Sequence, residues 1–188
     1  MRIFFLLFFL LNQCAKVQVS NLGVETWKLR DDDGKTLSIQ DLPGERIAIN
    51  VYSPTCVPCV EEIPALNAIR DEIATNRNFH IVMAVDTSQW ITTGIKESDD
   101  DIFQKARTEM KTEIAKRGIR LPVYYFLPPL RVGPQEIITG TPETLLFQKN
   151  PTRLFYNFLG PISTVSDPKE VTKDLKYKFF KRVFGLAQ

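Results

Sequence analysis

Arg46-Ile47-Ala48-Ile49-Asn50-Val51-Tyr52-Ser53-Pro54-Thr55-Cys56-Val57-Pro58-Cys59-Val60-Glu61-Glu62-Ile63-Pro64 decides the fold. Its first seven residues are an almost unbroken apolar run, the pattern of a strand covered on both faces. Ser53-Pro54-Thr55 ends that strand. From Cys56 onward, Val60, Ile63, Leu66, Ile69 and Ile73 recur at helical spacing. Pro58 suits a first helical turn, and Pro64 predicts a kink where its ring removes a donor. A buried strand therefore feeds straight into a helix, and two cysteines stand at the junction.

That placement carries chemistry. Unpaired amide N–H groups at a helix start favour negative charge, which stabilises a thiolate at Cys56. The thiolate is the form that attacks disulfides. Cys59, about one turn on, lies within reach to attack a mixed disulfide and release the reduced partner. Cys56 is thus expected to be the exposed attacking residue and Cys59 the resolving one. So small a loop removes little chain entropy, so a purely structural bridge is a poor reason for the pair. Zinc would need two further ligands. His80, the one histidine, is expected inside a buried strand, so no metal is expected. Pro54-Thr55-Cys56 does not reproduce the spacing of a peroxidase cysteine.

Working outward, Thr26–Arg30 and Lys35–Ile39 alternate around Asp31-Asp32-Asp33-Gly34, a hairpin signal. Phe79–Val85 reads as a second buried strand. Residues 99–117 read as a helix opened by three aspartates, with Ile102, Ala106, Met110 and Ile114 as its apolar stripe and Gly118 as its end. A short strand from 121 to 126, a proline-rich loop, and an antiparallel pair at 144–147 and 153–158 follow. The last helix starts at Asp167-Pro168-Lys169-Glu170, with a capping box expected from Asp167 and Glu170. Its five basic residues between Lys173 and Arg182 face either anionic lipid or water. The solvated reading is preferred because Val171, Leu175, Phe179 and Val183 form the expected buried stripe. The order β-β-β-α-β-α-β-β-β-α implies an α/β domain with a mixed sheet flanked by helices and an N-terminal β-hairpin.

The N-terminus stands apart. Arg2 precedes the apolar run Ile3–Leu11, too short for the roughly 20 residues of a spanning helix and patterned like a secretory signal. Cys14 follows in Leu11-Asn12-Gln13-Cys14, which resembles a bacterial lipoprotein signal with Cys14 as the lipid-attachment residue. Gln13 departs from the small residue usual there. Residues 1–14 are therefore expected to be a signal segment, 15–23 a tether, and 24–188 one domain, as the 188-residue length allows. An apolar fraction of 44% suits a globular core, and a net charge of +2 gives no case for nucleic acid.

Cys56-Val57-Pro58-Cys59 at the end of a strand resembles the active site of the thioredoxin superfamily. Thr141-Pro142, ahead of the apolar run 144–147, is similar to that fold's cis-proline segment, where a substrate peptide can pair as an added strand. The hairpin with Gln40-Asp41-Leu42-Pro43-Gly44, and Glu62-Ile63-Pro64 three residues after Cys59, resemble the TlpA/ResA-type redoxins, membrane-tethered and extracytoplasmic. The likeness runs from about residue 24 to 185. It implies that Glu62 helps set the acidity of the thiols and that Val57 and Pro58 influence potential. The tryptophan usual near the first cysteine is replaced by Ser53-Pro54-Thr55. Asn50 stands where cytoplasmic thioredoxins carry a buried acid, leaving Glu62 or water to accept the Cys59 proton.

The resemblance implies a thioredoxin-like thiol–disulfide oxidoreductase of the periplasm or cell envelope. It would reduce disulfides of exported protein partners, including cysteines that receive haem in cytochrome c maturation. Electrons would come from an upstream membrane donor, with no cofactor beyond the redox-active disulfide. Two other readings stay open: a disulfide-forming oxidant, and a noncatalytic surface lipoprotein that binds partners or handles metal. Residues 87–120 and 127–140 are expected to carry partner specificity.

Overall fold

Ile47, Ala48, Ile49, Val51 and Tyr52 are all fully buried, and the strand that carries them, β3 (Arg46–Tyr52), is the centre of the molecule. The structure is a computed structural model and describes residues 24, 27–127 and 130–186. The expected signal segment, Cys14, the tether and Pro128-Pro129 lie outside the described residues.

Strand β3 pairs in parallel with β4 (Phe79–Val85) and antiparallel with β6 (Glu143–Gln148), which explains why both of its faces are apolar. The hairpin strands β1 (Lys28–Arg30) and β2 (Thr36–Ser38), the short β5 (Val123–Phe126), and β7 (Arg153–Leu159) complete a seven-stranded mixed sheet of order β2-β1-β5-β4-β3-β6-β7. The expected hairpin forms as read. Asp31 Oδ1 accepts from the amides of Asp33 (3.1 Å) and Lys35 (2.8 Å), while Gly34 supplies the positive φ of 87° that the turn requires.

The crossovers β3-α-β4 and β4-α-β5 move the same way across the sheet. Connections of this kind share one hand, so their helices land on one side. Accordingly α2 (Ile63–Glu72) and α3 (Asp99–Arg117) pack on the face of Ala48 and Tyr52, where α5 (Leu175–Phe184) joins them, through residues such as Leu66, Met110 and Phe180. The opposite face, Ile47, Ile49 and Val51, is covered by Val24, Trp27, Ile39, Leu42 and the loop residues Leu130 and Ile138.

Several expectations need correction. The stripe of α3 is led by buried Phe103 rather than Ile102, because a ring there stacks edge-on against Tyr125 at 5.1 Å. His80 is only partly buried, since it sits near the start of its strand. The last helix is two helices, α4 (Pro168–Val171) and α5, because Asp174 caps a new start by accepting from the Lys176 amide at 2.9 Å. The restart rotates the buried face onto Tyr177, Phe180 and Phe184 and leaves Leu175 and Phe179 exposed. At Asp167 no reciprocal capping box forms: Asp167 accepts from the Lys169 amide, and Glu170 instead pairs with Lys173 at 2.7 Å.

Candidate active site

The chain leaves β3 at Tyr52 and makes one tight turn before Cys56, whose amide donates to the Ser53 carbonyl at 3.1 Å. Ser53 and Thr55 hydroxyls lie 3.0 Å apart, and both donate to Gln89 Oε1, at 3.2 and 3.4 Å. Gln89 belongs to the 3-10 turn Thr87–Trp90, which Trp90 Nε1 anchors to α3 by donating to Glu109 at 2.8 Å. Ser53 and Thr55 thus tie the cysteine loop to the segment that follows β4.

Cys56 is the N-cap of α1 (Val57–Glu61), and its Sγ accepts from the Cys59 amide at 3.2 Å. The same donor would stabilise a thiolate on Cys56 once the pair is reduced. Cys56 and Cys59 form a disulfide with their Cα atoms 5.3 Å apart. Cys56 is partly exposed, Cys59 is fully buried, and Val57 and Pro58 stand exposed beside them. Only the Cys56 sulfur is therefore open to an incoming partner.

Glu62 separates α1 from α2. Pro64, at the second position of α2, has no N–H for the preceding turn, so the helix restarts here. The Glu62 side chain is fully buried; it accepts from Asn50 Nδ2 at 2.8 Å and from the Ile162 amide at 2.9 Å. Burial pushes its pKa up to about 7, against the pull of those two hydrogen bonds toward the charged form. Asn50 Nδ2 also donates to Thr144 Oγ1 at 3.1 Å, while Asn50 Oδ1 is buried without a hydrogen-bond partner among the described residues.

Thr141-Pro142 is a cis peptide immediately before β6. Since Glu143 is in register with Val51, this segment lies at the same end of the sheet as the cysteines. Its conformation is held by Glu143, nearly buried, whose Oε1 accepts from the amides of Thr139 and Gly140, both at 2.9 Å, and from the Thr139 hydroxyl. Its Oε2 accepts from Asn157 Nδ2 at 2.8 Å. Sequence reasoning missed Glu143 and Gln89. A single acid heading the apolar strand Glu143–Gln148 was a usable signal; nothing local marks Gln89. His80 pairs in register with Ile47, toward the opposite end of β3 from the cysteines. Among the described residues no group of three or more His, Cys, Asp or Glu is placed to hold a metal ion.

No family model matches the chain. Among solved structures it is similar to a thiol-disulfide oxidoreductase from Bacteroides fragilis, with 15% identity, TM-score 0.54, and coverage of 83% of this chain and 96% of that one. It is also similar to a protein assigned as the thiol:disulfide interchange protein DsbE from Chlorobium tepidum, at 13% identity and TM-score 0.51, covering 84% and 92%. A protein assigned as a thioredoxin from Neisseria meningitidis matches at 18% identity and TM-score 0.50, covering 83% of each chain. This chain has the thioredoxin fold. At such identities the likeness is one of fold. Cys56, Cys59, Glu62 and the Thr141-Pro142 segment lie toward one end of the sheet.

Proposed function

We propose that this protein is an exported thiol–disulfide oxidoreductase that reduces disulfides of extracytoplasmic partners through Cys56 and Cys59. The observation that carries the reading is the disulfide at a strand-to-helix junction with one sulfur accessible and the other buried. In the reduced protein the Cys56 thiolate attacks one sulfur of the partner disulfide, and the partner's other sulfur leaves as a thiolate that takes up a proton. Glu62, as carboxylate, accepts the Cys59 proton. The Cys59 thiolate then attacks Cys56 Sγ, closes the Cys56–Cys59 disulfide and releases the partner's second thiolate. Two electrons pass to the partner, and an upstream dithiol donor at the membrane restores the pair. A carboxyl held at about 7 is matched to this transfer near neutral pH.

Val57 and Pro58 frame the reactive sulfur and tune its potential. Thr141 and Pro142 offer the backbone edge on which a partner segment pairs, with Glu143 as their positioning residue. The pattern of residues 1–14 supports export and lipid attachment at Cys14, with 15–23 as the tether and 24–188 as the working domain. Partners that receive haem, in cytochrome c maturation, suit a reductant of this location.

The test uses single cysteine variants. Cys59→Ser should accumulate a mixed disulfide between Cys56 and its partner, whereas Cys56→Ser should trap nothing and lose turnover with a model disulfide. Trapping by the Cys56 variant but not by the Cys59 variant would overturn the assigned roles.

A further inference from the structure

Helix α5 presents a second surface, unrelated to the cysteines. Leu175, Lys178, Phe179 and Arg182 stand at i, i+3, i+4 and i+7 and share its outward face, since Tyr177, Phe180 and Phe184 hold the inward one. Leu175 is 79% exposed and Phe179 45% exposed. Phe179 continues onto the edge strand β7, with ring centroids 6.3 Å from Tyr156, itself 37% exposed, and 6.0 Å from Phe158.

Within α5 and β7 the charge beside this apolar ridge is cationic, and the nearest acids are engaged: Asp174 as the N-cap of the helix and Glu72 with Lys181. The sequence of α5 contains Lys176, Lys178, Lys181 and Arg182 and no acid, and β7 adds Arg153 and no acid. Lys181 is engaged by Glu72 at 2.6 Å, while Lys176, Lys178 and Arg182 have no ion-pair partner among the described residues. Exposed leucine and phenylalanine flanked by long cationic side chains form the face of a helix that lies in a membrane interface. A second copy is a poorer occupant, because a two-fold contact would set Lys178 and Arg182 against their own counterparts.

We propose that α5 and Tyr156 dock this domain flat on a bilayer rich in anionic lipid headgroups. The inference does not rest on the thiol chemistry. The helix starts at Asp174, which accepts from Ser163 beside the Ile162–Glu62 contact, and ends at Gly185 near Arg46 and Phe79, toward the opposite pole. A bilayer beneath α5 therefore leaves Cys56 at the flank, facing partners held at the same surface.

The test places tryptophan in the face, as Phe179→Trp and separately as Leu175→Trp. Each full chain is incorporated into vesicles whose acyl chains carry bromine as quencher. The parent chain supplies the background from Trp27 and Trp90. The apolar run 3–11 is expected to hold the chain on either lipid, so the comparison reads the pose of α5 and not attachment. With phosphatidylglycerol mixed into phosphatidylcholine, the added emission should be quenched. The quenching should fall at least by half on phosphatidylcholine alone or when Lys178→Glu and Arg182→Glu are added. Thiol exchange with a soluble model disulfide should be unchanged in every variant. Absence of quenching on the mixed vesicles, equal quenching on both lipids, or a concentration-dependent blue shift without vesicles (a second copy on the face) would each overturn the proposal.

Discussion

Glu62 shows how far one residue can be pushed by its surroundings. In the disulfide form its folded pKa of about 7 lies above its ordinary value of 4.5. Between those values the folded protein keeps a proton that the unfolded chain has released. The contribution of Glu62 to stability is therefore fully present below 4.5, is lost as pH rises through about 7, and is absent above it, a change of about 3 kcal/mol from this one group. Glu62→Gln should flatten that slope in urea unfolding curves recorded from pH 4 to 8. The same variant should slow resolution of the mixed disulfide about 100-fold at neutral pH, the scale of a lost general base, and should remove its pH dependence near 7. An unaltered rate would confine Glu62 to a structural role. The residue itself was legible as a candidate, three places after Cys59. Its partner at the Ile162 amide was not, because a backbone N–H a hundred positions away leaves no mark in the sequence.

At the scale of elements, the loop before β6 and the restarted C-terminal helix give separate tests. Glu143→Ala removes the acceptor shared by Thr139, Gly140 and Asn157 and leaves their donors unsatisfied. It should cost about 2–3 kcal/mol in chemical unfolding. It should also raise KM for a peptide disulfide more than it lowers kcat, if the segment it holds is the partner-binding edge proposed above. In α5, Phe180→Ala should cost about 3–5 kcal/mol and Leu175→Ser almost nothing, because only Phe180 faces the core. The reverse order would restore the stripe expected from sequence. That stripe failed for a specific reason: spacing of 3.6 residues was projected across Thr172-Lys173-Asp174, where the helix stops and Asp174 starts it again. Elements without such a break, β3, β4 and α3, lay close to where their residue patterns placed them.

For the whole molecule, two crossovers of the same hand set the order β5-β4-β3 and place α2 and α3 on one face, and the antiparallel pairing of β6 with β3 brings the start of β6 to the end of β3 that leads into the cysteines. Cys56 and Cys59 stood out because a strand end running into a helix is a local signal, whereas the cis peptide at Thr141-Pro142 was expected only through the family resemblance. Gln89 did not stand out, because its contact with Ser53 and Thr55 depends on how the chain returns after β4. On the proposed function, Cys56 and Cys59 form a reversible dithiol–disulfide couple poised to reduce. The direct measurement is the reduction potential of Cys56–Cys59, read by thiol alkylation across a series of redox buffers. A two-electron transition near the ~−270 mV of thioredoxin, or below, is the predicted result, and a value near the ~−120 mV of a strong oxidant would contradict it.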